Sequence, residues 1–115
     1  MRLLICGSRN WFDEAPIRAA IEALPPGSIV IHGNARGADS IADRVAITLR
    51  IHVKAYAAAW ATHGRDAGPI RNQRMLDEGK PDRVLAFPLT GSKGTWDMVR
   101  RARQAGVPVV VWGAK

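Results

Sequence analysis

The chain has a single cysteine, a single tyrosine and no apolar run approaching the ~20 residues of a membrane span. One cysteine excludes an internal disulfide and fits a reducing compartment, so a cytoplasmic protein is expected. The apolar stretch at the N-terminus is too short for a signal peptide. Gly7-Ser8-Arg9-Asn10 follows it at once, so it reads as a first strand. His32, His52 and His63 show no metal-ligand spacing, and neither a metal nor another cofactor is expected. Ser8, Ser28, Ser40 and Ser92 have no evident base partner, which argues against a nucleophilic triad. Acidic residues are also scarce. Ten Asp and Glu stand against seventeen Lys and Arg, a net charge of +7, which points to an anionic partner.

The 115 residues suit one domain, residues 1–115, long enough to bury roughly two-thirds of the unfolded surface. The central stretch is Ile29 to Asp43. Ile29, Val30 and Ile31 have strand preference, and His32-Gly33-Asn34-Ala35-Arg36-Gly37 breaks the pattern. From Ala38 the period becomes helical, with Ile41, Val45 and Leu49 on one face and Asp39 as the expected N-cap. A strand that runs through a glycine loop into a helix leaves backbone N–H groups for an anion.

The same alternation runs through the whole chain. Arg2 to Cys6 is strand one, and Asp13 caps a helix that buries Ile17, Ala20, Ile21 and Leu24. Ile51 to Tyr56 is strand three, and Ala57 to Ala67 reads as a long loop. Gly68-Pro69 opens the third helix, and Val84 to Phe87 is strand four. Thr95 to Ala105 is the fourth helix, with Gly106 at its C′ position. Val107 to Trp112 is a β-branched run expected of a strand covered on both faces.

Five strands alternating with helices predict an α/β, Rossmann-like three-layer domain: a mainly parallel five-stranded sheet with helices on both faces. With strand order 3-2-1-4-5, ligands would bind between strands one and four, outside their carboxyl ends. Gly7-Ser8-Arg9, the Gly33–Gly37 loop and Gly91-Ser92-Lys93-Gly94-Thr95 would share that edge. Arg36, Arg65, Arg71 and Arg74 would lie in or near it, with Arg71 facing the ligand. His32 ends strand two, where it can touch a ligand or serve the structure. Trp11, Trp60 and Trp96 lie in or beside loops at the same edge, where one ring could stack on a base and core or rim packing is the plainer reading for each.

Gly7-Ser8-Arg9, His32-Gly33-x-x-x-Gly37-x-Asp39-x-x-Ala42, Gly68-Pro69-x-Arg71-Asn72-x-x-Met75 and Gly94-Thr95 occur in this order. Together they resemble the SLOG superfamily of Rossmann-like proteins, and most closely its YspA, cpYpsA-related branch. Two better-known groups within it imply different activities. Arg71-Asn72-Gln73-Arg74-Met75 resembles a block of the LOG phosphoribohydrolases, which implies N-glycosidic hydrolysis of a nucleotide with Arg71 catalytic. The glutamate expected in that family's second block is replaced by Met98, leaving Asp97, about 100° away on a helix, to stand in. Ala35-Arg36-Gly37-Ala38-Asp39 and Arg71-Asn72-Gln73 are similar to blocks of the DprA (Smf) proteins, which implies single-stranded DNA binding. The resemblance also implies a homodimer. The residues favour a nucleotide-like small molecule as ligand, with Gly7, Ser8, Arg9, His32, Gly33, Arg36, Gly37, Asp39, Arg71, Asn72, Gly91, Ser92, Gly94 and Thr95 as candidate contacts.

Overall fold

The computed structural model describes residues 1–113. In chain order the elements are β1 (Arg2–Gly7), α1 (Glu14–Glu22), β2 (Ile29–His32), α2 (Ala38–Thr48) and β3 (His52–Ala55). They continue with α3 (Trp60–His63), a 3₁₀ turn (Gly64–Asp66), α4 (Ala67–Asp77), β4 (Arg83–Phe87), α5 (Lys93–Gln104) and β5 (Val109–Val111). The strands form one sheet in the order β3-β2-β1-β4-β5, and every pairing is parallel. This is the expected three-layer α/β architecture.

The alternation of side chains along β1 divides the core in two. Leu3 and Ile5 point to one face, where they meet Ile17 and Ile21 of α1 and Ile41 and Val45 of α2. Leu4 and Cys6 point to the other, against Met75 and Leu76 of α4 and Met98, Val99 and Ala102 of α5. Because β1 is central, both its faces are buried. Its carboxyl end, beside that of β4, therefore becomes the floor between two helix layers, the usual place for a ligand in an open parallel sheet.

Local signals explain most of the boundaries. The Asp13 side chain accepts from Ala15 N at 3.2 Å and caps α1. Gly106, at φ 77°, follows α5 and accommodates the left-handed turn.

Three expectations require correction. Residues 57–67 are not a plain loop: α3 and the 3₁₀ turn lie within them, and α4 already starts at Ala67. None of the residues in those two short elements is buried, so no apolar period marked them. β5 is a three-residue edge strand, with Val110 half exposed, rather than a strand covered on both faces.

The third correction concerns Asp39, which is not the N-cap of α2. Gly37 takes that position, and its φ of 72° lets the backbone turn two residues earlier than expected. Asp39, inside the first turn, folds back instead. Its Oδ2 accepts from Gly33 N at 3.1 Å and Ala35 N at 3.2 Å.

Candidate functional site

A cleft of about 670 Å³ opens at the carboxyl ends of β1 and β4. That volume falls in the range of small-molecule pockets, roughly 300–1,000 Å³. Gly7, Ser8 and Arg9 enter it from the end of β1, Arg71 and Asn72 from α4, and Gly91, Ser92, Gly94 and Thr95 from the loop and first turn of α5. Asp39 and Asp97 also line it. The cleft thus brings together eleven of the expected site residues. His32, Gly33, Arg36 and Gly37 are not among its lining residues.

The four outside it have visible reasons for their placement. His32 is almost fully buried. Its Nδ1 accepts from Asn34 N at 2.9 Å, so the ring proton sits on Nε2, which donates to Asp43 Oδ1 at 2.8 Å. Both ring nitrogens are therefore used to pin the end of β2 to α2. Gly33 gives its carbonyl to Arg71 Nη1, and a Cβ on it would lie 2.8 Å from Arg71 Cζ. Gly37 lies against the Ser8–Arg9 backbone, with Arg9 C 2.6 Å from where its Cβ would be. Arg36 is exposed beyond the cleft.

The Gly33–Gly37 loop was expected to offer its amides to an anion. Gly33 N and Ala35 N are instead already held by Asp39, so the chain supplies its own carboxylate at the place a phosphate would take. Asp39 is 5% exposed and its Oδ1 has no hydrogen-bond partner. Burial raises its carboxyl above the ordinary value, while His32, the Ala35 amide and Arg71 act in the opposite direction. Burial also raises the neighbouring Cys6 thiol, with the Asp39 charge adding to the effect.

At the heart of the cleft is a continuous chain of polar contacts. Arg71 Nε donates to Asn72 Oδ1 at 2.9 Å. The Asn72 amide then donates to Gly94 O at 3.2 Å and Asp97 Oδ2 at 3.0 Å. Asn72 is 3% exposed, and this one side chain ties the start of α4 to the start of α5. Burial lowers the Arg71 guanidinium from its ordinary value, with Asp39 acting the other way.

Asp97 accepts from Arg100 at 2.6 Å and from Arg101 at 2.9 Å as well as from Asn72. Burial alone would raise its carboxyl. The Asn72 and Arg101 hydrogen bonds, with the charges of Arg101 and Arg100, outweigh that and hold it below the ordinary value. The face of α5 towards the cleft carries Asp97, whereas Met98 is fully buried in the core. Asp97, which the resemblance leaves to stand in for the glutamate, therefore lines the cleft, and Met98 does not.

Ser8 holds the cleft in shape. Its N donates to Phe87 O at 3.0 Å, and its carbonyl accepts from Trp11 N and Ala38 N. Its Oγ accepts from Asn10 N at 3.0 Å, leaving the hydroxyl proton for a ligand. The cleft is lined by five cations, Arg9, Arg65, Arg71, Lys93 and Arg100, against the two carboxylates. Arg100 is paired with Asp97. Among the described residues, Arg9, Arg65 and Lys93 have no carboxylate partner. The chains of α4 and α5 both begin here, adding partial positive charge. Arg74, expected near the edge, pairs with Glu78 and lies over Tyr56 instead. Arg100 escaped the sequence reading, because only its position one turn after Asp97 on α5 marks it. Trp11 takes the core-packing reading, against Phe87 and Trp112.

A family model for the YspA, cpYpsA-related SLOG family matches residues 1–63. A curated relative, the Gene 61 protein of Mycobacterium phage D29, is 42% identical over 123 residues, covering 99% of this chain and 98% of the relative. The chain belongs to the YspA, cpYpsA-related SLOG family. Among solved structures, this SLOG protein is similar to DNA processing protein A (DprA) from Streptococcus pneumoniae. The TM-score is 0.80 at 17% identity, with 96% of this chain covered. The chain spans about half, 49%, of that DprA chain, and at this identity the likeness is one of fold. No helix among the described residues is long and apolar enough to cross a membrane.

Proposed function

We propose that this SLOG-family chain acts as one domain that binds a nucleotide or nucleotide-derived ligand in the cleft between β1 and β4. The observation that carries the reading is that Arg9, Arg65 and Lys93, around one cleft of about 670 Å³, have no carboxylate partner among the described residues. Unpaired cations on a cleft of this size suit a phosphate-bearing small molecule. Arg71, held by Gly33 and Asn72, supplies a pre-oriented guanidinium, and the first turn of α5 supplies backbone N–H groups.

The test is thermal stability against AMP, ADP, ATP, NAD, ADP-ribose, cyclic nucleotides and a short single-stranded DNA. A ligand at 100 times its Kd raises stability by roughly 2.7 kcal/mol. A mononucleotide-like compound is expected to raise the melting temperature, with a shallow salt dependence. Arg65→Ala, at an exposed residue without a carboxylate partner among the described residues, should lower that affinity and leave the unliganded melting temperature unchanged. A response to the oligonucleotide alone, falling steeply with salt, would replace the reading with single-strand binding.

The placement of Asp97 on the cleft beside Arg71 and Asn72 favours a second reading, N-glycosidic hydrolysis of the bound nucleotide. Against it, the Asp97 carboxylate already accepts from three donors. Release of free base from a bound nucleotide, abolished in Asp97→Asn, would establish hydrolysis. Absence of release from a ligand that binds would leave the protein a binding module.

A further inference from the structure

Resting on the nucleotide reading, we infer that Trp60 is the platform on which the ligand's base stacks. Arg9, which covers the Trp60 ring in the free protein, is exchanged for the base and moves to the phosphate.

The four tryptophans have different surroundings. Trp11 and Trp112 pack edge to face with centroids 5.4 Å apart, and Trp11 Nε1 donates to Asp13 O. Trp96 lines a shallower depression beside Lys93 and Arg100. Among the described residues, Trp60 is the one aromatic side chain lining the β1–β4 cleft.

Folding gives little reason for a tryptophan at position 60. Neither α3 nor the 3₁₀ turn after it buries any residue, and the ring remains 49% exposed. Its rim rests on the start of α4, where a Cβ on Gly68 would lie 3.3 Å from Trp60 Cη2. A large, half-exposed ring beside cations without a carboxylate partner among the described residues matches a nucleotide better than a sugar phosphate. Its face offers stacking to any base, and the cations take the phosphate.

The Arg9 guanidinium lies over this ring, Cζ 5.4 Å from the centroid. A base cannot enter that gap unless one of the two moves. Arg9 is exposed and has no carboxylate partner among the described residues, so it is the group free to leave. An exposed cation–π contact is weak, whereas base stacking and an arginine–phosphate contact are each stronger. The exchange therefore favours the bound state, and it gives selectivity for ligands that carry a base.

Calorimetric titration with AMP, GMP, UMP and ribose 5-phosphate tests this on the whole chain. Ribose 5-phosphate keeps the sugar and phosphate and lacks the base. The wild-type protein should prefer at least one nucleotide. Trp60→Ala should weaken that nucleotide about 10-fold and leave ribose 5-phosphate within about twofold. Trp60→Phe should restore most of the preference. Arg9→Ala should weaken both ligand classes, because its contact in the complex is with the phosphate. Binding should also change the tryptophan emission of the wild type and not that of Trp60→Phe. Equal loss for both ligand classes in Trp60→Ala, or no loss for either, overturns the platform. No loss in Arg9→Ala overturns the exchange. If the wild-type protein binds none of the four and no compound of the nucleotide panel, the nucleotide reading itself fails, and this shows before any variant is made.

Discussion

Gly37 and Ser8 are in direct backbone contact: the Ser8 carbonyl oxygen stands where a Cβ on residue 37 would be. The same carbonyl accepts from Ala38 N at 3.2 Å, so the first turn of α2 is fastened to the loop after β1. This contact sets the distance between two of the three glycine loops.

Gly37→Ala should therefore cost about 2–4 kcal/mol, from the left-handed backbone and the clash together. Gly91, at φ 80°, has open space where a Cβ would go, so Gly91→Ala should cost only about 1 kcal/mol. Urea unfolding of both variants checks this. Equal losses would mean that the Ser8 contact yields easily.

Asp39 makes stability fall as pH rises. Its native carboxyl is raised by burial, so above pH ~4 the unfolded chain ionises this group while the native chain still holds the proton. The unfolded state then binds fewer protons, and the contribution present at low pH is lost as pH climbs through the native value. Asp39→Asn should flatten this dependence and be at least as stable as the wild type at neutral pH. Unfolding midpoints between pH 4 and 8 for the two proteins measure it, and identical slopes would contradict the assignment.

Asp97 acts with the opposite sign. Its native carboxyl is held low despite burial, by Asn72, Arg101 and Arg100, so its contribution is present above the unfolded value and lost as pH falls through the native one. Asp97→Ala should cost about 2 kcal/mol near neutrality, and the difference from wild type should close in acid. The α4–α5 junction should loosen first, visible as faster amide exchange around Asn72 and Gly94.

Cys6 should resist modification in the native protein. It is 7% exposed, and burial and the Asp39 charge both raise its thiol. Alkylation by iodoacetamide at pH 8 should proceed at the rate of unfolding and accelerate sharply in urea. Rapid labelling of the folded chain would show that the cleft opens to its floor.

Much of this architecture was legible in the sequence. β1, α1, β2 and α2 carry apolar patterns of clear period, Asp13 marks the start of α1, and Gly106 marks the end of α5. Arg71, Asn72 and the Gly91–Thr95 turn were legible as residues lining the cleft, because strand order carries the loop after β4 to the β1–β4 crevice and the start of α4 faces the same edge. α3 was invisible because none of its residues is buried. Asp39 was misassigned because cap preference describes which residues favour a position, and Gly37 had already started the helix.

The sequence by itself determined the layered α/β fold, since a change of apolar period from two to 3.6 is a local signal and short right-handed crossovers leave few ways to assemble it. Only the tertiary structure decided which polar groups remain available to a ligand. Whether an amide or guanidinium is free depends on partners brought near by folding. The Gly33 and Ala35 amides are taken by Asp39 and Arg100 by Asp97, while Arg9 rests on Trp60 with no carboxylate partner among the described residues. Those pairings follow from close packing between elements, which no spacing along the chain encodes.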